Sequence, residues 1–320
     1  MNLAEYRHGM LDRYIGILTP EELEVLSKAI ICGAGAGGNG GFTYIILARL
    51  GCLHFKIADP EPFDSVNVGS QAYSNIETMG QYKAEVIARE IQRINPSAQV
   101  EVWPDGVKPE TMHSFLEGGD IAIDGIDLYE LDAKKSLFDS ARKQNMPVIS
   151  VPILGFGAAL AVFHPTKSPS FEDYFGLIPP KSEPEKYNRY ITTLATGFFG
   201  FKPRLNWPLF MDRIADGKVP TMGTACMLSG AWAATASIDC ILGKNSIPVV
   251  PTTIHIDLMQ QKLVRTGPLR RWFLKKYVQF SFWYTNSRKY PVSYRGEETI
   301  ESFDDEIVGS QRTVRSGKAD

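Results

Sequence analysis

Residues 31–59 read ICGAGAGGNGGFTYIILARLGCLHFKIAD: an apolar run, a glycine cluster, a helix-length stretch and a second apolar run closed by an acid. Few folds accept that order. Two short strands joined by a helix form a βαβ unit, which requires a parallel sheet and a crossover. Gly33, Gly35 and Gly38 fall in the G-x-G-x-x-G pattern, and Asp59 follows Gly38 by 21 residues. Each part has a mechanical role in nucleotide binding. Gly33 permits the tight turn, Gly35 lets backbone N–H groups approach a phosphate, and Gly38 lets helix and strand pack closely. The helix N-terminus favours an anion, and Asp59 is placed to accept hydrogen bonds from ribose hydroxyls. The glycine pattern alone also fits a plain structural turn, and it does not separate ATP from a nicotinamide dinucleotide.

The same alternation continues along the chain. Residues 3–28 read as two helical pieces, the second opened by Thr19 as N-cap, Pro20 at the first position and Glu22 at the third. Strands are expected at 29–33, 53–59, 98–103, 120–124, 147–153 and 158–165. Helices are expected at 39–50, 78–94, near 109–117 and at 129–144, with Asn95-Pro96 stopping the second of these. Residues 60–77 read as a loop. This pattern predicts a doubly wound, Rossmann-like α/β fold whose sheet is mostly parallel with antiparallel edge strands. It divides into N-terminal helices (1–28), a nucleotide-binding core (29–163), a crossover or substrate segment (164–219), a helix with an edge hairpin (220–267) and a C-terminal extension (268–320), all in a single domain. The crossover segment is rich in aromatics, including Phe171, Tyr174, Phe175, Tyr187, Tyr190, Phe198, Phe199, Phe201 and Trp207, which fit either a substrate cover or a dimer contact. The helix over 220–242 carries Gly223, Ala225, Gly230, Ala231, Ala233 and Ala234, so it can approach another helix closely.

Composition excludes several classes. A net charge of −2 gives no reason to expect nucleic acid or an anionic membrane, and the basic run Arg270, Arg271, Lys275 and Lys276 reads as a solvated helix face. No leader and no apolar stretch of membrane-spanning length is visible, which points to the cytoplasm. Cys32, Cys52, Cys226 and Cys240 are scattered in apolar runs without a C-x-x-C pair, as buried free thiols in a reducing compartment would be. His54, His164 and His255 read as structural.

Three further segments narrow the reading. The loop after Asp59 carries Asn67 and Gln71 in NVGSQ. The next helix opens MGQYKAE with Lys83 and ends in Ile94, Asn95 and Pro96. The strand over 121–127 ends IDGID with Asp124 and Asp127. In this order the chain resembles the superfamily that activates ubiquitin-like and sulfur-carrier proteins, with ThiF, MoeB, HesA and the ubiquitin-activating enzymes. That family's signature runs G-x-G-G-x-G, L-x-D-x-D, S-N-x-x-R-Q, G-x-x-K, I-N-P and D-x-x-D. The likeness covers 29–163 and resumes at 220–267.

The resemblance implies binding of ATP and Mg²⁺ and adenylation of a carboxylate. Lys83 would contact phosphate and Asp127 would hold Mg²⁺, both counted as catalytic. Gly33, Gly35, Gly38, Asp59, Asn67 and Gln71 would hold the nucleotide. The substrate would be a small acid, a peptide or the C-terminus of a carrier or ubiquitin-like protein, and the enzyme a dimer, with a homodimer preferred. Residue by residue, Lys83 also fits a solvated helix position and Asp127 a helix N-cap.

The chain departs from the family at several places. Ser70 stands where the family has an arginine, and Gly16 matches a second arginine, although Arg13 and Tyr14 remain; Arg7, Arg13 or Arg49 would have to substitute. The crossover segment has no cysteine and the zinc-binding pairs are missing, which disfavours a thioester. These departures keep open a catalytically degenerate partner subunit of a heterodimeric activating enzyme, and the glycine pattern keeps open an NAD-dependent oxidoreductase.

Overall fold

In the first strand, neighbouring residues face opposite cores: Ile31 belongs to one buried cluster, Cys32 and Ala34 to another. A strand buried on both faces loses the apolar–polar alternation of an exposed sheet, which is why these strands read as near-continuous apolar runs. The computed structural model describes residues 2–179, 183–195 and 219–274, with Leu209, Arg213 and Lys276. These lie in one compact unit, Met1–Val278. Phe198, Phe199, Phe201, Trp207 and nearly all of 268–320 beyond 274 fall outside the described residues.

Among the described residues nine strands form one sheet. They are β1 (Ile30–Ala34), β2 (His54–Ala58), β3 (Gln99–Trp103), β4 (Ile121–Asp124), β5 (Val148–Ser150), β6 (Ile153–Leu154), β7 (Gly157–Phe163), β8 (Thr253–Asp257) and β9 (Lys262–Thr266). The order is β3-β2-β1-β4-β5-β7-β8-β9, with β6 paired to β7. The pairs from β3 through β5 are parallel, and those from β5 through β9 are antiparallel. The expected doubly wound fold with antiparallel edge strands is therefore present. The order reverses between β1 and β4, and such a switch point opens a crevice at the C-terminal ends of the strands.

The helices are α1 (Leu3–Leu11), α2 (Pro20–Lys28), α3 (Gly38–Arg49), α4 (Lys83–Ile94), α5 (Met112–Leu116), α6 (Leu131–Lys143), α7 (Phe171–Phe175), α8 (Glu183–Ala195) and α9 (Gly223–Ile241). Residues of α3, α4 and α9 pack on one face of the sheet; α5, α6, α7 and α8 pack on the other. The capping box at Thr19 and Glu22 forms as expected.

Three local expectations need correction. The helix expected from Thr78 starts at Lys83, because Thr78 Oγ1 and Asn75 Oδ1 close a turn and Gly80 N–H donates to Phe63 O. The strand expected over 147–153 is split into β5 and β6 at Val151-Pro152; proline has no N–H to continue a ladder. Phe171, Phe175 and Tyr190 are buried in the core over the sheet, Phe175 stacked on Phe163 and the three rings tilted against one another, and so neither cover a substrate nor face a second chain.

α9 also differs in role from expectation. Gly38 meets Cys226, and Gly230 meets Phe42 and Thr43, so α3 and α9 run side by side in the same direction. Ala225, Gly230, Ala233 and Ala234 are buried. The small residues thus allow close approach to a helix of the same chain, and they supply no argument for a dimer.

Candidate functional site

The register sets the floor of the crevice. Ala34, the last residue of β1, is level with Ala58 at the end of β2 and with Asp124 at the end of β4. The ladder continues one step further, with Gly35 N–H donating to Ala58 O and Gly125 N–H to Ala34 O, each at 2.7 Å. Gly35, Asp59 and Gly125 therefore emerge side by side.

The glycine turn is locked from three sides. Gly35 has φ +95°, and a Cβ there would collide with the Gly125 carbonyl; both facts require glycine. A Cβ on Gly33 would enter the Tyr44 ring, whose Oη donates to Gly35 O at 2.7 Å. Burial pushes the Tyr44 phenol well above its usual range, so it stays a donor. The close approach of helix to turn is made by Gly40, where a Cβ would strike Gly35 O. Gly38, expected to serve that purpose, instead makes room for Cys226 and the Ser70 carbonyl.

Asp59 is buried, and both its oxygens accept backbone hydrogen bonds, Oδ2 from Ala36 N–H at 2.7 Å and Oδ1 from Glu61 N–H at 2.9 Å. Burial raises its pKa, opposed by those two bonds and by Lys83. It braces the glycine turn before any ligand arrives. Lys83 is the first residue of α4 and is not solvated: its side chain is 5% exposed, with Nζ 2.6 Å from Glu61 Oε2. Gln71 lies against Gly37, and its Oε1 is buried without a hydrogen-bond partner. Asn67 closes its own turn, Oδ1 accepting from Asp64 N–H at 2.8 Å. Asp127 is exposed, and its Oδ1 accepts from Tyr129 N–H at 2.9 Å; it is not the helix N-cap, a position held by Glu130.

Tyr44 thus links Gly33 to Gly35, the Ala36 amide ties Asp59 to the same turn, and Gln71 lies against Gly37; Lys83 connects to Asp59 through Glu61. Of the arginines considered as substitutes, Arg7 and Arg49 do not gather here, while Arg13 is exposed in the short turn after α1. Arg49 ends α3, about 16 Å along the helix from Gly38. Arg7 donates to Gly51 O at 3.2 Å, at that same far end.

A buried group escaped the sequence reading. Asp124 Oδ1 is 2.7 Å from Lys134 Nζ, and Asp124 Oδ2 accepts from Ser150 Oγ at 2.7 Å. The available signal was Lys134 itself, which falls in the buried stripe Leu131, Leu137, Phe138 and Ala141 of α6. A lysine in phase with an apolar stripe needs a buried partner.

Fold and site together define a doubly wound α/β domain with a glycine-turn crevice at its switch point. The chain belongs to the ThiF family, whose model matches residues 11–271. It is 31% identical over 148 residues to a tRNA threonylcarbamoyladenosine dehydratase of Haemophilus influenzae, covering 46% of this chain and 55% of that one. It is 26% identical over 183 residues to a sulfur carrier protein adenylyltransferase of Thermus thermophilus, covering 57% and 66%. The chain spans about half the length of the first of the curated relatives it matches. Among solved structures, E. coli MccB with MccA-N7isoASN aligns with a TM-score of 0.63 at 19% identity, over 81% of this chain and 71% of that one. E. coli MccB with ATP aligns at 0.57 and 18% identity, over 77% and 66%. At such identities the structural likeness concerns the fold. No helix among the described residues is long and apolar enough to cross a membrane.

Proposed function

We propose that this chain is an ATP-dependent adenylyltransferase that activates a carboxylate without a cysteine thioester. The observation that carries the reading is the meeting of the glycine turn, Asp59 and the D-x-x-D segment at one switch-point crevice in a ThiF-family chain. The residues fit the nucleotide. Gly37, the N-cap of α3, presents backbone without a side chain at the helix N-terminus, and Gln71, whose Oε1 is unpartnered, offers a polar group beside it. They also fit Mg²⁺, a cation that takes one or two carboxylates and completes its shell with phosphates and water. Asp127 would supply the carboxylate, and the metal would neutralise developing phosphate charge.

In this reading Asp59 fixes the turn and meets the ribose with its remaining lone pairs. Lys83 exchanges Glu61, whose side chain is 70% exposed and able to swing away, for phosphate. A carboxylate oxygen of the substrate bonds to the α-phosphorus and the bond to the β-phosphate oxygen breaks. Pyrophosphate leaves, and a nucleophile then takes the acyl group and releases AMP. Cys226 is a poor candidate for that nucleophile: it is buried, and burial raises its thiol. The chain's relatives, a sulfur carrier protein adenylyltransferase and MccB solved with MccA-N7isoASN, support a peptide or carrier-protein substrate. A cytoplasmic homodimer completes the reading; with its small residues turned inward, α9 leaves Met227, Ala231 and Thr235 exposed for a second copy.

One observation favours the degenerate partner subunit. Ser70 and Gly16 replace arginines, Arg7 and Arg49 lie far away, and the nearby lysines Lys83 and Lys134 are both engaged by carboxylates. ATP–pyrophosphate exchange against a panel of carboxylates and carrier peptides, with calorimetric titration of Mg-ATP, AMP and NAD, separates the readings. Exchange with any acid supports the adenylyltransferase. Mg-ATP binding without exchange, or no binding at all, supports the partner subunit, and binding of NAD alone the oxidoreductase.

A further inference from the structure

The two acids of the D-x-x-D segment, of which Asp127 alone is expected to hold Mg²⁺, stand in opposite environments. The Asp124 side chain is 1% exposed and that of Lys134 5%. Lys134 takes Oδ1, Ser150 takes Oδ2, and Asn39 Nδ2 donates to the Asp124 carbonyl at 3.3 Å. Asp124 is thus held from α6, β5 and α3 at once. Asp127, three residues on, is exposed. Between them Gly125 interlocks with the glycine turn: its N–H donates to Ala34 O, its carbonyl occupies the space a Cβ on Gly35 would need, and its own Cβ would meet Gly35 O.

We propose that Lys134 is a positioning residue. By fixing Asp124 it holds the Gly125 turn against Gly35, and so sets where Asp127 stands, leaving Asp127 rather than Asp124 to meet a cation. A buried ion pair is a weak source of net stability, but removing one partner strands a buried charge, so such pairs persist where they specify a geometry. Here the geometry specified is the seam between two turns at the mouth of the crevice. The part of this inference that concerns the cation rests on the adenylyltransferase reading; the part that concerns the seam does not.

The test is hydrogen–deuterium exchange on the unliganded full chain, with two reporters: the Gly125 amide, which donates across the seam to Ala34 O, and the Gly35 amide on the facing turn, which donates to Ala58 O of β2. Lys134→Met is expected to speed exchange in 34–38 and 125–130 at least tenfold, while the β8–β9 hairpin over 253–266 keeps its rate. Ser150→Ala, which removes one hydrogen bond and keeps both charges, gives the same pattern at smaller amplitude and carries the test if Lys134→Met does not fold. Equal acceleration across the hairpin and the turns, or no change at the turns in Ser150→Ala, overturns the proposal. If the wild type binds Mg-ATP, Lys134→Met should also raise the Mg²⁺ concentration for half-maximal binding at least tenfold. An unchanged Mg²⁺ requirement overturns the link to Asp127. A wild type that binds no Mg-ATP counts against the adenylyltransferase reading, and the exchange result still decides the seam.

Discussion

Replacing Tyr44 by Phe removes one oxygen from the least accessible part of the crevice. The ring is fully buried under Gly33, and its hydroxyl is 2.7 Å from the Gly35 carbonyl. Phe keeps the ring packing, so no sizeable cavity opens and the change isolates the hydrogen bond. A typical hydrogen bond contributes about 1 kcal/mol net, and a buried acceptor left without a donor costs about 1–3 kcal/mol. Tyr44→Phe should therefore destabilise the fold by ~1–3 kcal/mol. At roughly 2–4 °C per kcal/mol for a domain of this order, the melting temperature falls by roughly 2–12 °C. Urea unfolding is the direct assay: the midpoint should drop while the m-value stays constant, since no extra surface is exposed. Because the lost bond also pins a residue at φ +95°, nucleotide affinity should weaken alongside. A stability change within ~0.3 kcal/mol would show that the hydroxyl does not hold the turn.

Other consequences are equally open to measurement. Burial, with the charges of Arg271 and Arg270, drives His255 from 6.5 down to about 3. Between those values the unfolded chain binds a proton that the native state refuses, so stability falls as pH drops through this window. The loss is about 2 kcal/mol at pH 5, and His255→Gln should flatten that limb of a stability–pH profile; an unaltered limb refutes the assignment. Burial pushes the Cys32 and Cys52 thiols up to about 12, so iodoacetamide at about pH 8 should leave both unmodified in native protein and label both after unfolding. Native labelling of Cys32 would contradict its burial within β1. Glu61→Gln frees Lys83 from a partner whose other side faces water, a pair worth ~0.2–1 kcal/mol. If Lys83 meets phosphate, Mg-ATP affinity should rise about 1.5- to 5-fold by calorimetry; a fall would give Glu61 a positive role in binding.

What could be read in the sequence divides along a physical line. The doubly wound class and β1, β2 and β4 were legible because strands buried on both sides leave apolar runs between glycine and helix signals, and α4 because Val86, Ile87 and Ile91 fall on one face. The start of α4 was not, since Thr78 spends its hydroxyl on a turn that only the backbone of Phe63 and Glu61 explains. At the site, Gly33 and Gly35 announced themselves through their spacing. Their partners did not: Tyr44 looks like any helix aromatic, and the Lys134–Asp124 pair joins residues that only the wrap of α6 onto β4 brings together. Glu61 was unreadable for another reason, as a side chain that is mostly exposed becomes important only through the buried lysine it caps.

The parallel pairing of α3 with α9 has a consequence in time. Gly38 is walled by Cys226, and a Cβ on Gly223 would meet the Gly69 carbonyl, so the rim of the crevice is completed by a helix that begins some 185 residues after the turn it encloses. At about 5–20 residues per second of synthesis, roughly 10–40 s separate translation of the glycine turn from arrival of its last wall. During that interval α3 exposes the groove around Phe42 and Thr43 that Gly230 later fills. The nascent chain is thus an open-sided sheet awaiting a late-arriving helix, and a ribosome stalled before Gly223 would hold a half-built crevice whose bare flank is a target for chaperones.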